Sequence, residues 1–348
     1  MNPIMTPSPL NLFSQTDPRE IYRLRDGLYA VDLMAAALVE FDFFTWLAAN
    51  PSDLAAICAH FKIHPRPADV MITLFAALGA VERQGNEIRA TPLAREFLVQ
   101  GSPLCVAPYF ASMRERPVCR DMAIVLRTGH PANWGSFDHE KEWAKAMETE
   151  DFAKRFTAAM DCRGACLGPA MAAKLKLDGH RRVLDIAGGS GVYACAIAAA
   201  HPHVQATVLE KKPVDAIARK GIAERGFADR VSVHVADMFK EPFPAEHDVH
   251  LFSNVLHDWD TPLVKTLLAK SSEALPAGGL LVVHDAHINR EKTGPYPVAA
   301  YSSLLMTITE GKCYSISEME EYLTEAGFED FEFHETTVDR SILTAWKI

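Results

Sequence analysis

Apolar residues recur three and four positions apart through the first half of the chain. Ile21, Leu24, Leu28 and Val31 fall on one helical face and lead into the dense run VDLMAAALVEFDFFTWLAA. This spacing predicts amphipathic helices. So apolar a region needs cover, either from the rest of the chain or from a second copy of it, and a homodimer is the expectation. The stretch from Pro51 to Leu98 reads as helix, turn, helix, a short hairpin around Gln84, Gly85 and Asn86, and a further helix, which is the outline of a winged helix. From Val183 the pattern changes to strands alternating with helices: RVLDIA, VQATVLE, RVSVHVA, DVHLFSNVL and GGLLVVHDA. That alternation is the mark of a doubly wound parallel sheet. The last two candidate strands, FEDFEFHE and SILTAWK, are separated by a turn near Val338 to Arg340 and are expected to pair antiparallel at the sheet edge.

The expected fold class is therefore α/β: a Rossmann-like sheet of seven strands, the last one antiparallel, preceded by an all-helical winged-helix dimerisation domain. The expected division is residues 1–105 for the dimerisation domain, 106–170 for a helical linker and 171–348 for the catalytic domain.

Composition narrows the partners. A chain of 348 residues with 49% hydrophobic content can bury the cores of two domains. Its formal charge of −10 argues against nucleic acid as main partner. Between Ala68 and Gly79 the second helix of the winged-helix outline carries no Lys or Arg, so a DNA-reading regulator is disfavoured against a packing and dimerisation module. The seven cysteines are odd in number and form no CxxC pair, which fits reduced thiols in a cytoplasm. Cys162 and Cys166 lack a third ligand at metal-site spacing, so no metal is expected. No window approaches the roughly 18 apolar residues of a membrane span, and the N-terminal sequence has no secretory pattern, so neither membrane nor export is expected.

The chemistry is concentrated at one turn. GSGVYA, starting at Gly189, satisfies the GxGxxA dinucleotide fingerprint, with the acid Glu210 roughly 20 residues further on, so a nicotinamide dehydrogenase is a contender. Asp185, at the end of the first strand, tells against it. A carboxylate there opposes a pyrophosphate and favours a ligand carrying an ammonium and a sulfonium, which describes S-adenosylmethionine. Gly188, Gly189 and Gly191 then serve close backbone approach, and Glu210 can accept both ribose hydroxyls. Asp237 and Met238, followed by Phe239, end the third strand at the edge where open sheets bind ligands. Asp237 suits the exocyclic amine of adenine, and Met238 its face.

The segments DIAGGSG, VLEKK, ADMF and above all FSNVLHDWDT resemble the plant-type small-molecule O-methyltransferases, which include caffeate and hydroxyindole O-methyltransferases and many bacterial natural-product enzymes. The resemblance covers essentially the whole chain, and HDW is its most specific motif. It implies a homodimer that moves a methyl from S-adenosylmethionine, leaving S-adenosylhomocysteine, to a hydroxyl of a small aromatic or polyketide-like metabolite. It makes His257 the general base, a role that an imidazole near neutral pH suits. Of the two acids the family places near this His, the first maps onto Asp285 and the second onto Cys313, where the acid is missing; Glu310, three residues earlier, is the candidate substitute. Ala187 stands at the first position of the family's glycine triplet, and Ser253 where many relatives carry a basic adenine contact. Phe152, Phe156 and Met160 are expected to form a pocket wall, completed by Asn254, Met306 and Cys313. The alternatives are a C-methyltransferase or a non-methylating S-adenosylmethionine enzyme of the same fold.

Overall fold

The computed structural model describes Leu10 and residues 16–132 and 146–348. Its first part consists of helices α1 (Arg19–Asp26), α2 (Ala30–Val39), α3 (Phe43–Ala49), α4 (Leu54–Phe61) and α5 (Pro65–Ala77), the hairpin β1 (Val81–Gln84) and β2 (Glu87–Ala90), and helices α6 (Pro92–Phe97), α7 (Ala107–Ala111) and α8 (Pro117–Thr128). The local chemistry accounts for several of these boundaries. Asp53 caps α4 by accepting the Ala56 amide, Pro65 opens α5 where its missing N–H costs nothing, and Gly85 turns the hairpin at a φ of 59°.

A long helix, α9 (Glu150–Ala172), leads into the sheet. There follow β3 (Arg182–Ile186), α10 (Val192–Ala200), β4 (Gln205–Glu210), α11 (Val214–Glu224), β5 (Val231–Val235), β6 (Val249–Ser253), α12 (Thr261–Ala274), β7 (Leu280–Asp285), α13 (Tyr296–Ile308), α14 (Ile316–Glu325), β8 (Phe328–Glu335) and β9 (Ser341–Lys347). The seven strands lie in the order β5-β4-β3-β6-β7-β9-β8. The first five are mutually parallel, and β9 runs antiparallel to both β7 and β8. The strand order reverses between β3 and β6, and the crevice beyond their carboxyl ends is where such sheets bind ligands.

The final hairpin pairs as its sequence predicts, and its polarity decides which strand goes inside. β9 is buried through Ser341–Ala345 and takes the inner place, whereas β8 exposes Glu329, Asp330, Glu332 and Glu335 and forms a charged edge. Helix α9 packs on α10 through small residues: a Cβ on Gly164 would collide with Val192, and one on Gly168 would lie 3.1 Å from Ala196. This close approach fixes α9 beside the glycine turn.

The helical part does not keep a core of its own. Val298–Met306 of α13 are buried in one cluster with Leu33, Phe44, Met71 and Phe75 of α2, α3 and α5, so the core crosses the boundary expected at residue 170. Pro67–Phe75 of α5 are buried, and Arg66 is turned inward. Ile21, Leu24, Leu28 and Val31 are 73%, 81%, 53% and 43% exposed, so among the described residues the apolar stripe of α1 and the start of α2 has little cover.

Candidate active site

A cavity of about 530 Å³ opens at the carboxyl ends of β3, β4 and β6, and its far wall is made by α8, α9 and α13. One end is the glycine turn. Gly188, Gly189 and Ser190 line it, and their main chain folds tightly over Asp185, since a Cβ on Gly188 would lie 2.5 Å from the carboxylate. Gly189 and Gly191 have φ of 59° and 76°, in the region that favours glycine. Ala187 also lies there, at 53°, so this turn carries local strain where glycine would carry none.

The acids of the turn are held out of water. Asp185 is fully buried and neither of its oxygens makes a hydrogen bond. Burial raises its pKa to about 7, against the pull of the Ala194 amide, which faces it without meeting hydrogen-bond geometry. Glu210 lines the cavity and accepts the Gly189 amide at 3.0 Å and the Lys211 amide at 2.9 Å, one on each oxygen, leaving a lone pair on each. Burial pushes it to about 7 as well, and those two amides resist the shift.

The chemical end lies at the tip of β6. His257 sits on a short 3₁₀ turn, Leu256–Asp258, and its Nδ1 is 2.5 Å from Oδ1 of Asp285 at the tip of the neighbouring strand β7. Asp285 also accepts the amide of Ala286 at 2.8 Å, which fixes the carboxylate. Nε2 of His257 lies 3.5 Å from Asp258, and both residues line the cavity. Burial works against protonation of His257, but the carboxylates of Asp285 and Asp258 outweigh it and raise its pKa above 6.5. Asp285 is drawn the other way: although burial opposes ionisation, His257 holds it well below the usual carboxylate range. Asp258 is pushed by burial to about 6. The arrangement is an imidazole held at Nδ1 by one carboxylate, on a side chain that lines the cavity.

The profile of the O-methyltransferase domain matches residues 126–329. The chain belongs to the O-methyltransferase family. Its donor is S-adenosylmethionine. The chain is 29% identical over 313 residues to the 3-hydroxy-5-methyl-1-naphthoate 3-O-methyltransferase of Streptomyces sahachiroi, covering 89% of each. It is 31% identical over 247 residues, 69% of this chain and 65% of the other, to the aclacinomycin 10-hydroxylase of Streptomyces purpurascens. Its fold matches the crystal structure of an O-methyltransferase family 2 protein from Planctomyces limnophilus in complex with apigenin, with a TM-score of 0.88, 30% identity and coverage of 97% and 98%.

The methyltransferase's cavity suits a zwitterionic nucleoside. At the glycine end the buried hydroxyl of Ser190 has no partner, the Asp185 carboxylate lies behind the turn, and Glu210 faces inward. The cavity wall also carries a cation that the sequence reading did not name. Arg163 of α9 lines the cavity, donates to the Tyr301 hydroxyl at 3.1 Å and leaves its buried Nε without a partner. Its signal was present in the sequence, because Phe156, Met160 and Arg163 fall four and three apart and so share one helical face.

The structure brings Gly188, Gly189, Glu210, Met238, Ser253, Asn254, His257, Phe156 and Met160 to the cavity wall. Ser253 is already engaged, with His284 Nδ1 at 2.8 Å, and Asn254 bonds the Tyr193 hydroxyl at 3.1 Å. Other expected site residues stand behind the wall. Asp185, Gly191 and Asp285 support it. The Asp237 carboxylate takes the Phe239 amide at 3.0 Å and Lys240 at 3.1 Å, while Phe239 packs edge-on against Trp259.

Four expectations are corrected by the geometry. Glu310 does not reach His257: it is half exposed and its carboxylate bonds Nδ1 of His130 at 2.9 Å. Met306 faces the core it shares with α5 rather than the cavity, because α13 is buried all round and presents Leu305 and Thr307 to the cavity instead. Phe152 stacks on Phe156 one turn back, in a small cluster with Val214, and only Phe156 is a wall residue. Cys313 is buried away from the cavity, its amide donating to Ser302.

Proposed function

We propose that this enzyme transfers a methyl group to a hydroxyl of a small, flat, largely apolar aromatic or polyketide-like acceptor, with His257 as general base. The observation that carries this reading is the Asp285–His257 pair, which engages Nδ1 of an imidazole that lines the cavity. When bound, S-adenosylmethionine supplies an electrophilic methyl on a sulfonium. The acceptor oxygen forms the new C–O bond as the C–S bond breaks, its proton passes to Nε2 of His257, and the donor leaves as a neutral thioether. Asp285 keeps the Nδ1 proton in place and steadies the imidazolium that forms.

Within the donor site, Glu210 is placed to accept ribose hydroxyls, Met238 to lie on the adenine, and Asp237 stands beside it. Arg163 and the acceptors of the glycine turn suit the carboxylate and ammonium of the amino-acid part. The acceptor end is walled by Phe156, Met160, Leu304 and Leu305, which favours a planar apolar body. The hydroxynaphthoate that names the Streptomyces sahachiroi relative and the apigenin bound in the Planctomyces limnophilus structure are of this kind.

The uncovered stripe of Ile21, Leu24, Leu28 and Val31 supports a homodimer. The burial of α5 and the inward turn of Arg66 support a packing role for the winged-helix outline in place of DNA reading. Seven free cysteines favour a reducing compartment such as the cytoplasm, and among the described residues no helix is long and apolar enough to cross a membrane. The test is calorimetric titration with S-adenosylmethionine, NAD and NADP, followed by a phenol screen for products heavier by one methyl. Binding of the first alone, with methylated phenols, is expected; donor binding with no methylated oxygen in any acceptor contradicts the reading.

A further inference from the structure

The geometry points to Arg66, in the helical half of the chain, as a positioning residue for His257. This rests on His257 being the residue that works at the cavity. Gly311 lies against the peptide that follows His257 so tightly that a Cβ there would overlap the His257 carbonyl oxygen and come within 2.8 Å of the Asp258 carbonyl carbon. Three residues further along the same segment, Tyr314 donates its hydroxyl to the Trp259 carbonyl at 2.6 Å. The 309–314 segment therefore clasps the 3₁₀ turn that carries the base, and what holds that segment sets where the imidazole stands.

Arg66 holds it. Its guanidinium donates to the Gly311 carbonyl at 2.6 Å and to the Gly129 carbonyl at 2.5 Å, with the Met306 carbonyl at 3.5 Å. Among the described residues it forms no ion pair. A guanidinium spent wholly on carbonyl oxygens ties three chain segments together at fixed spacing, because its donors lie in one rigid plane. A second anchor from the same helix acts on the next residue: Asp69 of α5 accepts Lys312 Nζ at 2.7 Å, and Glu318 accepts it at 2.6 Å. Helix α5 thus grips the segment at consecutive residues, and Gly311 is the point at which that grip meets the backbone of His257.

The test follows the Nδ1 proton of His257 by NMR in full-length protein with nitrogen-labelled histidine, the resonance being identified by its loss in His257→Ala. Arg66→Ala is expected to shift and broaden this resonance, and Arg66→Lys to restore it in part. Thr91→Ala serves as the comparison for plain destabilisation of the same half of the chain, since it removes the cap that accepts the Ala94 amide on α6. It is expected to leave the resonance in place. An unmoved resonance in Arg66→Ala, or the same change in Thr91→Ala, overturns the inference. Full methyl transfer by His257→Ala would instead remove the base assignment, and that outcome is read independently of the resonance.

Discussion

Nδ1 of His257 stands 2.5 Å from Oδ1 of Asp285, across the adjacent ends of two parallel strands. The pair fixes both the tautomer and the direction of the imidazole. Asp285→Asn is expected to lower turnover by roughly 10²- to 10⁴-fold while leaving S-adenosylmethionine affinity within a few-fold, because an amide can hold the ring in the wrong tautomer.

The same pair sets a pH dependence with opposite signs for activity and stability. The working base is neutral, so kcat/KM is expected to fall on the acid side of the raised His257 pKa, at a limb above pH 6.5. A raised folded-state pKa stabilises the fold below the unfolded value near 6.5, and that contribution is lost as pH rises through the folded value. Removing the carboxylate in Asp285→Asn should move the limb of kcat/KM to lower pH. A limb that stays in place would assign the titration to another group.

Arg163→Ala is expected to weaken S-adenosylmethionine binding by roughly 10- to 100-fold, the range for a charge-assisted hydrogen bond to a bound anion. Calorimetric titration checks this. Unchanged affinity would place the donor's carboxylate elsewhere.

The strained turn offers a gain. Ala187→Gly should raise unfolding stability by about 0.5–1 kcal/mol, since the residue has a φ of 53°. Denaturant unfolding reads the difference, and a loss of stability would mean that the Ala187 methyl contributes packing that outweighs its strain.

Leu24→Glu puts a charge into the middle of the exposed apolar stripe and is expected to shift sedimentation from dimer to monomer. A wild-type protein that sediments as a monomer would leave the stripe needing another partner.

The sheet was legible because the inner strands β3, β6 and β7 are buried apolar runs closed by turn residues, while the edge strand β5, VSVHV, alternates apolar with polar positions. His257 and Asp285 were singled out through the resemblance of FSNVLHDWDT and LLVVHDA to the family's motifs, and the structure brings them together at adjacent strand ends on the ligand edge. Helical side chains were harder. α13 is apolar around its circumference, so spacing alone could not say that Met306 faces α5 while Leu305 and Thr307 face the cavity. Glu310 misled because three residues of loop carry it onto the surface, beside His130. Arg163 lies on the wall with Phe156 and Met160, four and three positions apart along α9, but such spacing is equally that of any charged residue on a long helix.

The central claim is that donor binding and proton removal are separate tasks, with His257 performing only the second. The measurement that tests it most directly is the rate of methyl transfer to a hydroxynaphthoate or hydroxyflavone acceptor by wild type and His257→Ala, at saturating S-adenosylmethionine. A fall of roughly 100-fold or more is expected, with donor affinity held within a few-fold. Equal rates in the two proteins would contradict the account.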